Sequence, residues 1–227
     1  SFGLPKSELG NFSVDDIYLR GRIDRLDQLS SDYLGAIDYK SSAHSFKLQD
    51  AYDGLSLQFM TYLDVIKEAF PNQKIWGALY LQFKNQPINL SEINHLSEIA
   101  GLLKESMRYD GLVLEEAADQ IKAIENITVK KSNIYNQEEF EQLLKLNENH
   151  YQHAGQRLKS GQIAINPIMK RSEGIDQTGN VRGCRYCPLK SICRFEANVH
   201  MNDHSREIGQ KSQAEILAEL KGEGRNE

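Results

Sequence analysis

Residues 21–40, GRIDRLDQLSSDYLGAIDYK, decide how the fold is read. From Ile17 onward, Ile17, Leu19, Gly21 and Ile23 alternate with Tyr18, Arg20, Arg22 and Asp24, and that period of two predicts a strand over 17–26. The polar cluster DQLSSD at 27–32 predicts a turn. Residues 33–41 then predict a second strand, antiparallel to the first. Asp38 and Lys40 stand two apart on it, and side chains two apart on a strand leave from the same face.

Outward from this hairpin the period changes. Leu55, Phe59, Tyr62, Leu63 and Ile66 follow helical spacing as far as Pro71, with Gln58 and Tyr62 neighbours at i, i+4. A third strand is predicted over 74–83. Strand, strand, helix, strand is the order of an α/β fold in which helices flank a mixed central sheet. The second half reads as helical, with one helix over 92–108 and another over 137–159. The latter has a stripe of Phe140, Leu143, Leu144, Tyr151, Ala154 and Leu158. Residues 112–131 carry no clear period, and 161–167 reads as a short strand or an extended run. A helix over 211–220 is expected in a charged tail whose end, GEGRNE, should fray. The expected division is a domain over 1–199 and a C-terminal tail over 200–227.

Hydrophobic residues make up 40% and charged residues 26% of the 227, the balance of a globular chain able to build one substantial core or two small ones. No apolar run approaches the roughly 20 residues of a membrane span, and the N-terminus has no basic region before an apolar stretch. A cytoplasmic protein with no membrane partner is expected. The net charge of −5 excludes a surface that is all nucleic-acid clamp, yet leaves room for an enzyme that needs clustered carboxylates. All three cysteines fall in Cys184-x2-Cys187-x5-Cys193. An odd, crowded set argues against a self-contained disulfide framework and for metal ligation. One form is a Cys3His zinc site completed by His200 or His204.

Asp-x-Lys alone is expected about once by chance in a chain of this length. Its order here carries more weight: GRID at 21–24, IDYK at 37–40, then QFMTY at 58–62 on the next helix. Phosphodiester cleavage needs an acidified water and neutralisation of growing phosphoryl charge, and two carboxylates on adjacent strands can share one or two Mg²⁺ ions for that purpose. The expected ligands are Asp24, Asp38 and the main-chain carbonyl of Tyr39. Lys40 orients the water or stabilises the phosphate, and could act as a base only with a lowered pKa. The series resembles the PD-(D/E)xK nuclease superfamily, a restriction-endonuclease-like core, and its RecB-like branch. That resemblance sets Gln58 and Tyr62 at the edge of the site, contacting DNA or ordering Lys40. The alternative is that Tyr62 caps the core while Gln58 faces solvent. Arg22 and Arg25 are read as a solvated face, and Asp27, Asp32 and Asp53 as turn or cap residues.

GRIDRLD, IDYKSS, GLSLQFMTYLD and GCRYCPLKSICRFE together resemble the AddB family, called RexB in some Gram-positive bacteria, over nearly the whole chain. The resemblance implies an exonuclease acting on DNA ends and single-stranded DNA beside an AddA or RexA helicase partner, on the 5′-terminated strand, in double-strand break repair. It also implies a [4Fe-4S] cluster on Cys184, Cys187 and Cys193 plus one upstream cysteine, and an upstream metal-site His. No fourth cysteine is present, and nothing in residues 1–11 fits the His; Glu8 is a poor substitute with Gly10 so close. The chain is therefore expected to be a fragment with an absent or incomplete cluster and weak activity in isolation. The competing function is an inactive nuclease fold that guides DNA for a helicase.

Overall fold

The segment 17–26 changes partner on the way and bends at Asp24. In a computed structural model, which describes residues 1–30, 32–42, 44–83, 107–124, 127, 129–170, 175, 181–196, 205–209 and 211–222, β1 (Phe12–Val14) and β2 (Ile17–Leu19) form a small antiparallel hairpin. Gly21 then bridges to Phe2, and only at Arg25 does the chain join the main sheet as β3 (Arg25–Ser30). The single strand expected over 17–26 is thus two strands, because a period of two reports extended backbone without saying which neighbour takes its hydrogen bonds. The turn expected over 27–32 is shorter. β3 runs through Ser30, so Asp27 lies on a strand and pairs with Arg25. Polar residues are tolerated there because β3 is an edge strand, with a register shift between Gln28 and Ser30.

β4 (Tyr33–Lys40) pairs antiparallel with β3 and parallel with β5 (Lys74–Phe83). β5 pairs antiparallel with β6 (Met107–Leu114), and β6 parallel with β7 (Ile134–Tyr135), giving a mixed sheet in the order β3-β4-β5-β6-β7. The register steps from Leu34↔Ile75 to Gly35↔Gly77, which leaves Trp76 as an extra residue in a bulge. Glycine is required on both strands: a Cβ on Gly35 would lie 2.1 Å from the Trp76 ring, and Gly77 has φ +138.

Helices cover both faces. α1 (Leu48–Tyr52) and α2 (Gln58–Ala69) follow β4, and α2 ends just before Pro71 as predicted. Next come α3 (Glu115–Lys122), α4 (Gln137–Lys159), the single turn α5 (Lys190–Cys193) and α6 (Gln213–Lys221). α1, α2, α4 and α6 share one core with Ala36, Ala78 and Leu112; α3 packs on the other face with Ile37, Leu79 and Val113. Small Ala36 and Ala78 let α2 lie close to the sheet. The helix expected over 92–108 falls mostly outside the described residues, and its last two, Met107 and Arg108, begin β6 instead. None of the described helices is long and apolar enough to cross a membrane.

α4 has the predicted bounds and opens on a capping box between Asn136 and Glu139. Its stripe holds for Phe140, Leu143 and Leu144, which are buried, but Ala154 and Leu158 are exposed. The last turns of α4 run past the core, where Gly155 rather than Ala154 faces inward against Ile17. A buried polar set locks α2 to α4: Asn147 Nδ2 donates to Asp64 Oδ2 (2.7 Å), and the Thr61 and Tyr151 hydroxyls share a 2.8 Å hydrogen bond. The helix expected in the tail is α6, begun by a capping box at Ser212, and its Ile216 is buried in the main core. Residues 161–167 form no strand; β8 (Ile168–Lys170) follows and pairs parallel with β9 (Arg206–Ile208). The predicted fraying concerns 223–227, outside the described residues.

Candidate active site

β4 delivers Asp38 and Lys40 to the face beneath α2, and the first turns of α2 bring Gln58 and Tyr62 onto them. Lys40 Nζ lies 2.5 Å from Asp38 Oδ2 and donates to Gln58 Oε1 at 3.2 Å. Gln58 Nε2 donates to Asp38 Oδ1 (3.1 Å) and to the Tyr62 hydroxyl (2.7 Å), which in turn donates to the Arg22 main-chain carbonyl (2.9 Å). Glutamine suits this junction because an ammonium offers only donors and a carboxylate only acceptors, whereas one amide answers both. Gln58 thus does not simply face solvent. Tyr62 is buried, as a core cap would be, and also belongs to this network.

Asp24 enters from a bend just before β3, not from within a strand. It is exposed, and its Oδ2 accepts from the Tyr39 main-chain N–H at 3.1 Å. The Tyr39 side chain itself is exposed. Both carboxylates bear on Tyr62: burial first, then the charges of Asp38 and Asp24, push its hydroxyl up to about 12 against the Gln58 hydrogen bond. Tyr62 stays a phenol at neutral pH.

Asp38 is 3% exposed, and its Oδ2 makes no hydrogen bond even though the Lys40 ammonium is at contact distance. Among the described residues the Lys40 ammonium is the partner of this buried oxygen, an ion pair without hydrogen-bond alignment. A carboxylate oxygen held by that ion pair alone, with the exposed Asp24 carboxylate on the adjoining segment, is a hard oxygen donor set that suits Mg²⁺. Among the described residues no three His, Cys, Asp or Glu side chains gather to hold a metal ion, so protein carboxylates alone supply too few ligands. Octahedral Mg²⁺ keeps several waters in any case.

Two neighbours escaped the sequence reading. The parallel register sets Tyr80 beside Asp38 and Gln82 beside Lys40. Lys40 Nζ stands 5.2 Å from the centre of the Tyr80 ring, an aromatic floor for the cation. Gln82 clasps the chain after β4, accepting from His44 N–H (3.1 Å) and donating to the His44 carbonyl (2.5 Å). The alternation of β5 was visible in the sequence, but its register against β4 was not.

The cysteines lie apart from this site in short elements: Cys184 in the turn Arg182–Cys184, Cys187 just beyond it, and Cys193 at the end of α5. Burial, then the nearby Cys193 and Cys187, raise the Cys184 thiol pKa, so the three sulfurs sense one another. They do not form a ready ligand set in this conformation. His200 and His204 are outside the described residues.

A family model, the PD-(D/E)XK nuclease superfamily, matches residues 2–194. Over all 227 residues the chain is 89% identical to the exonuclease/helicase subunit RexB of one Lactococcus lactis subsp. cremoris strain, covering 21% of that protein. It is 88% identical, with the same coverage, to an ATP-dependent helicase/deoxyribonuclease subunit of another strain. The ATP-dependent helicase/deoxyribonuclease subunit of Streptococcus agalactiae is 36% identical over 188 residues, 82% of the chain and 16% of the relative. The chain spans about a fifth of the length of its Lactococcus relatives. With a mixed sheet flanked by helices, an Asp-x-Lys strand beneath a Gln-xxx-Tyr helix, and a family match over most of its length, the chain belongs to the PD-(D/E)XK nuclease superfamily.

Proposed function

We propose that this chain is the nuclease domain of a helicase–nuclease that processes double-strand DNA breaks, hydrolysing DNA phosphodiester bonds with Mg²⁺. The observation that carries the reading is the buried Asp38 carboxylate, held between Lys40 and Gln58 with one oxygen that accepts no hydrogen bond and has only the Lys40 ammonium against it. An inactive guiding module has no use for an acidic pair facing phosphates, which repels DNA unless a cation compensates it. Asp24, Asp38 and the Tyr39 carbonyl are the proposed ligands of Mg²⁺, which when bound acidifies the attacking water and neutralises phosphoryl charge.

In this reading Lys40 is the cation beside the reacting phosphate, where it stabilises negative charge as it grows. Gln58 fixes the direction of both Lys40 and Asp38, and Tyr62 anchors Gln58 to the Arg22 carbonyl. Neither Gln58 nor Tyr62 needs to touch DNA to matter, since each holds a group that does.

The names of the relatives support a helicase partner, and the resemblance to the AddB family supports a partner of the AddA or RexA type and action on the 5′-terminated strand. Cys184, Cys187 and Cys193 are proposed to hold a [4Fe-4S] cluster with a fourth ligand from outside these 227 residues. Iron and brown absorbance in the full-length protein support that assignment, and a colourless protein containing zinc rejects it.

The test of the enzyme compares wild type with Asp38→Ala and Lys40→Ala in the full-length complex. Both variants are expected to stop degrading the strand assigned to this subunit while unwinding continues. Undiminished digestion by both removes the hydrolytic reading.

A further inference from the structure

We infer that Tyr18, Arg20 and Arg22 form a track along which a single DNA strand is led to Asp24 and Asp38. The inference rests on the nuclease reading and adds a substrate-binding surface to it.

From Ile17 to Asp24 exposure alternates without a break. Tyr18, Arg20, Arg22 and Asp24 are exposed, while Ile17, Leu19, Gly21 and Ile23 are half-buried or buried. The alternation outlasts the hydrogen-bonded strand because this stretch lies against the N-terminal segment, where Phe2 exchanges two main-chain hydrogen bonds with Gly21 (3.0 and 3.1 Å). The side chains of Tyr18, Arg20 and Arg22 therefore project from one side, about 6.6 Å apart along extended chain, with Asp24 following at a bend. That interval is of the order of the separation between successive phosphates in a stretched single strand.

This row is continuous with the reacting groups. Its last member, Asp24, reaches the Tyr39 N–H, and the Arg22 carbonyl accepts from Tyr62 in the Gln58 network. Tyr18, at the far end, is 81% exposed, an unusual position for a tyrosine and an open ring face for a base to stack on.

Both guanidiniums are available. Arg20 and Arg22 line a shallow pocket with Ser1, Leu4, Glu8 and Gly21, and among the described residues neither guanidinium makes a hydrogen bond or ion pair. The acids of this corner do not claim them: Glu8 accepts from the Ser1 hydroxyl (2.9 Å), Asp16 pairs with Lys159, and Asp15 lies on the β1–β2 turn. Arg25, one position beyond the row, is by contrast neutralised by Asp27. Two available cations and an open aromatic, spaced along one edge and ending at a carboxylate pair, match a polyanion carrying stackable bases.

The test is fluorescence anisotropy of labelled oligo(dT) with the 227-residue chain in Ca²⁺, across a range of salt. Arg20→Ala/Arg22→Ala should weaken binding and flatten the slope of log K against log salt by about 1.4, two phosphate contacts on a single strand. Tyr18→Ala should weaken binding by ~5- to ~150-fold with the slope unchanged, the signature of lost stacking. Lys122→Ala/Lys145→Ala changes net charge equally, on α3 and α4, and should leave the slope as it was. A wild-type slope in the double arginine variant, an equal flattening in the lysine control, or no binding by wild type overturns the track. Arg20→Lys/Arg22→Lys, keeping charge and fold, should restore the slope; failure to do so also counts against it. The nuclease reading is tested apart from this, since Asp38→Ala should abolish cleavage in Mg²⁺, whereas the track stands or falls on the binding slopes of the arginine and lysine variants.

Discussion

The carboxylate site and the cysteine loop were equally conspicuous in the sequence, but the fold treats them differently. The site sits on β4, hydrogen-bonded on both sides, under a helix in which every residue from Phe59 to Ile66 is buried. The loop is pinned at its two ends by buried Val181 and Phe195, and between them Tyr186 (91%) and Ile192 (79%) are open to solvent. One constellation is assembled by sheet register and core packing, and needs no ligand to hold its shape. The other has only two short turns, and the proposed cluster would supply the bonds that bring its three thiols to one point.

The contrast breaks most sharply at Asp38 and Cys187. Asp38→Asn should reduce cleavage by on the order of 10³-fold, as loss of a group aimed at transition-state charge does, and should lower the melting temperature because Lys40 loses its ion-pair partner. Cys187→Ser should leave the chemical step unchanged and remove bound iron from the full-length protein. Steady-state rates, iron content and thermal melts on both variants test the pair; loss of cleavage in Cys187→Ser means that the two regions are coupled. A smaller effect is expected at Gln58. Gln58→Leu leaves Asp38 and Lys40 in place but undirected, and should cost about 10- to 100-fold in kcat, the usual scale for a supporting residue. A normal kcat in that variant means that Gln58 only fills space.

Much of the site could be read in advance because its members are local. Asp38 and Lys40 share a strand, Gln58 and Tyr62 share a helix, and each period fixes a face by itself. What failed depended on partners distant in sequence. Residues 17–26 read as one strand because alternation is the same whether the partner is β1, Phe2 or β4. Tyr80 and Gln82 could not be assigned to the site until the register of β5 on β4 was known. Polar DQLS at 27–30 read as a turn because nothing local marks β3 as an edge strand, where such residues are tolerated.

The well-packed region carries one cost that pH can expose. Asp64, on α2 one turn below the site, is 6% exposed, and burial raises its pKa to about 7, against an Asn147 hydrogen bond and the more distant Lys67, with Glu148 adding to the rise. The folded state therefore keeps a proton that the unfolded chain releases from about pH 4 upward. Stability from this group is full below that pH, declines by about 1.4 kcal/mol per unit as pH rises toward 7, and is level above it. Asp64→Asn keeps an acceptor for Asn147 and removes the charge. Its chemical denaturation midpoint should exceed that of wild type at pH 8 and match it near pH 4; a constant offset at all pH values would show that Asp64 is ionised when folded.

The smallest effect belongs at the C-terminal end of α4, past the edge of the core. Helical spacing extends the apolar stripe to Leu158, yet that residue is 74% exposed, while Leu143 on the same helix is fully buried. Leu143→Ala should cost about 2–5 kcal/mol, a lost side chain plus the cavity it leaves. Leu158→Ser removes a side chain already in water and should change stability by no more than about 0.5 kcal/mol. Equilibrium denaturation of the 227-residue chain measures both. A large loss at Leu158 would mean that the end of α4 packs against something in solution.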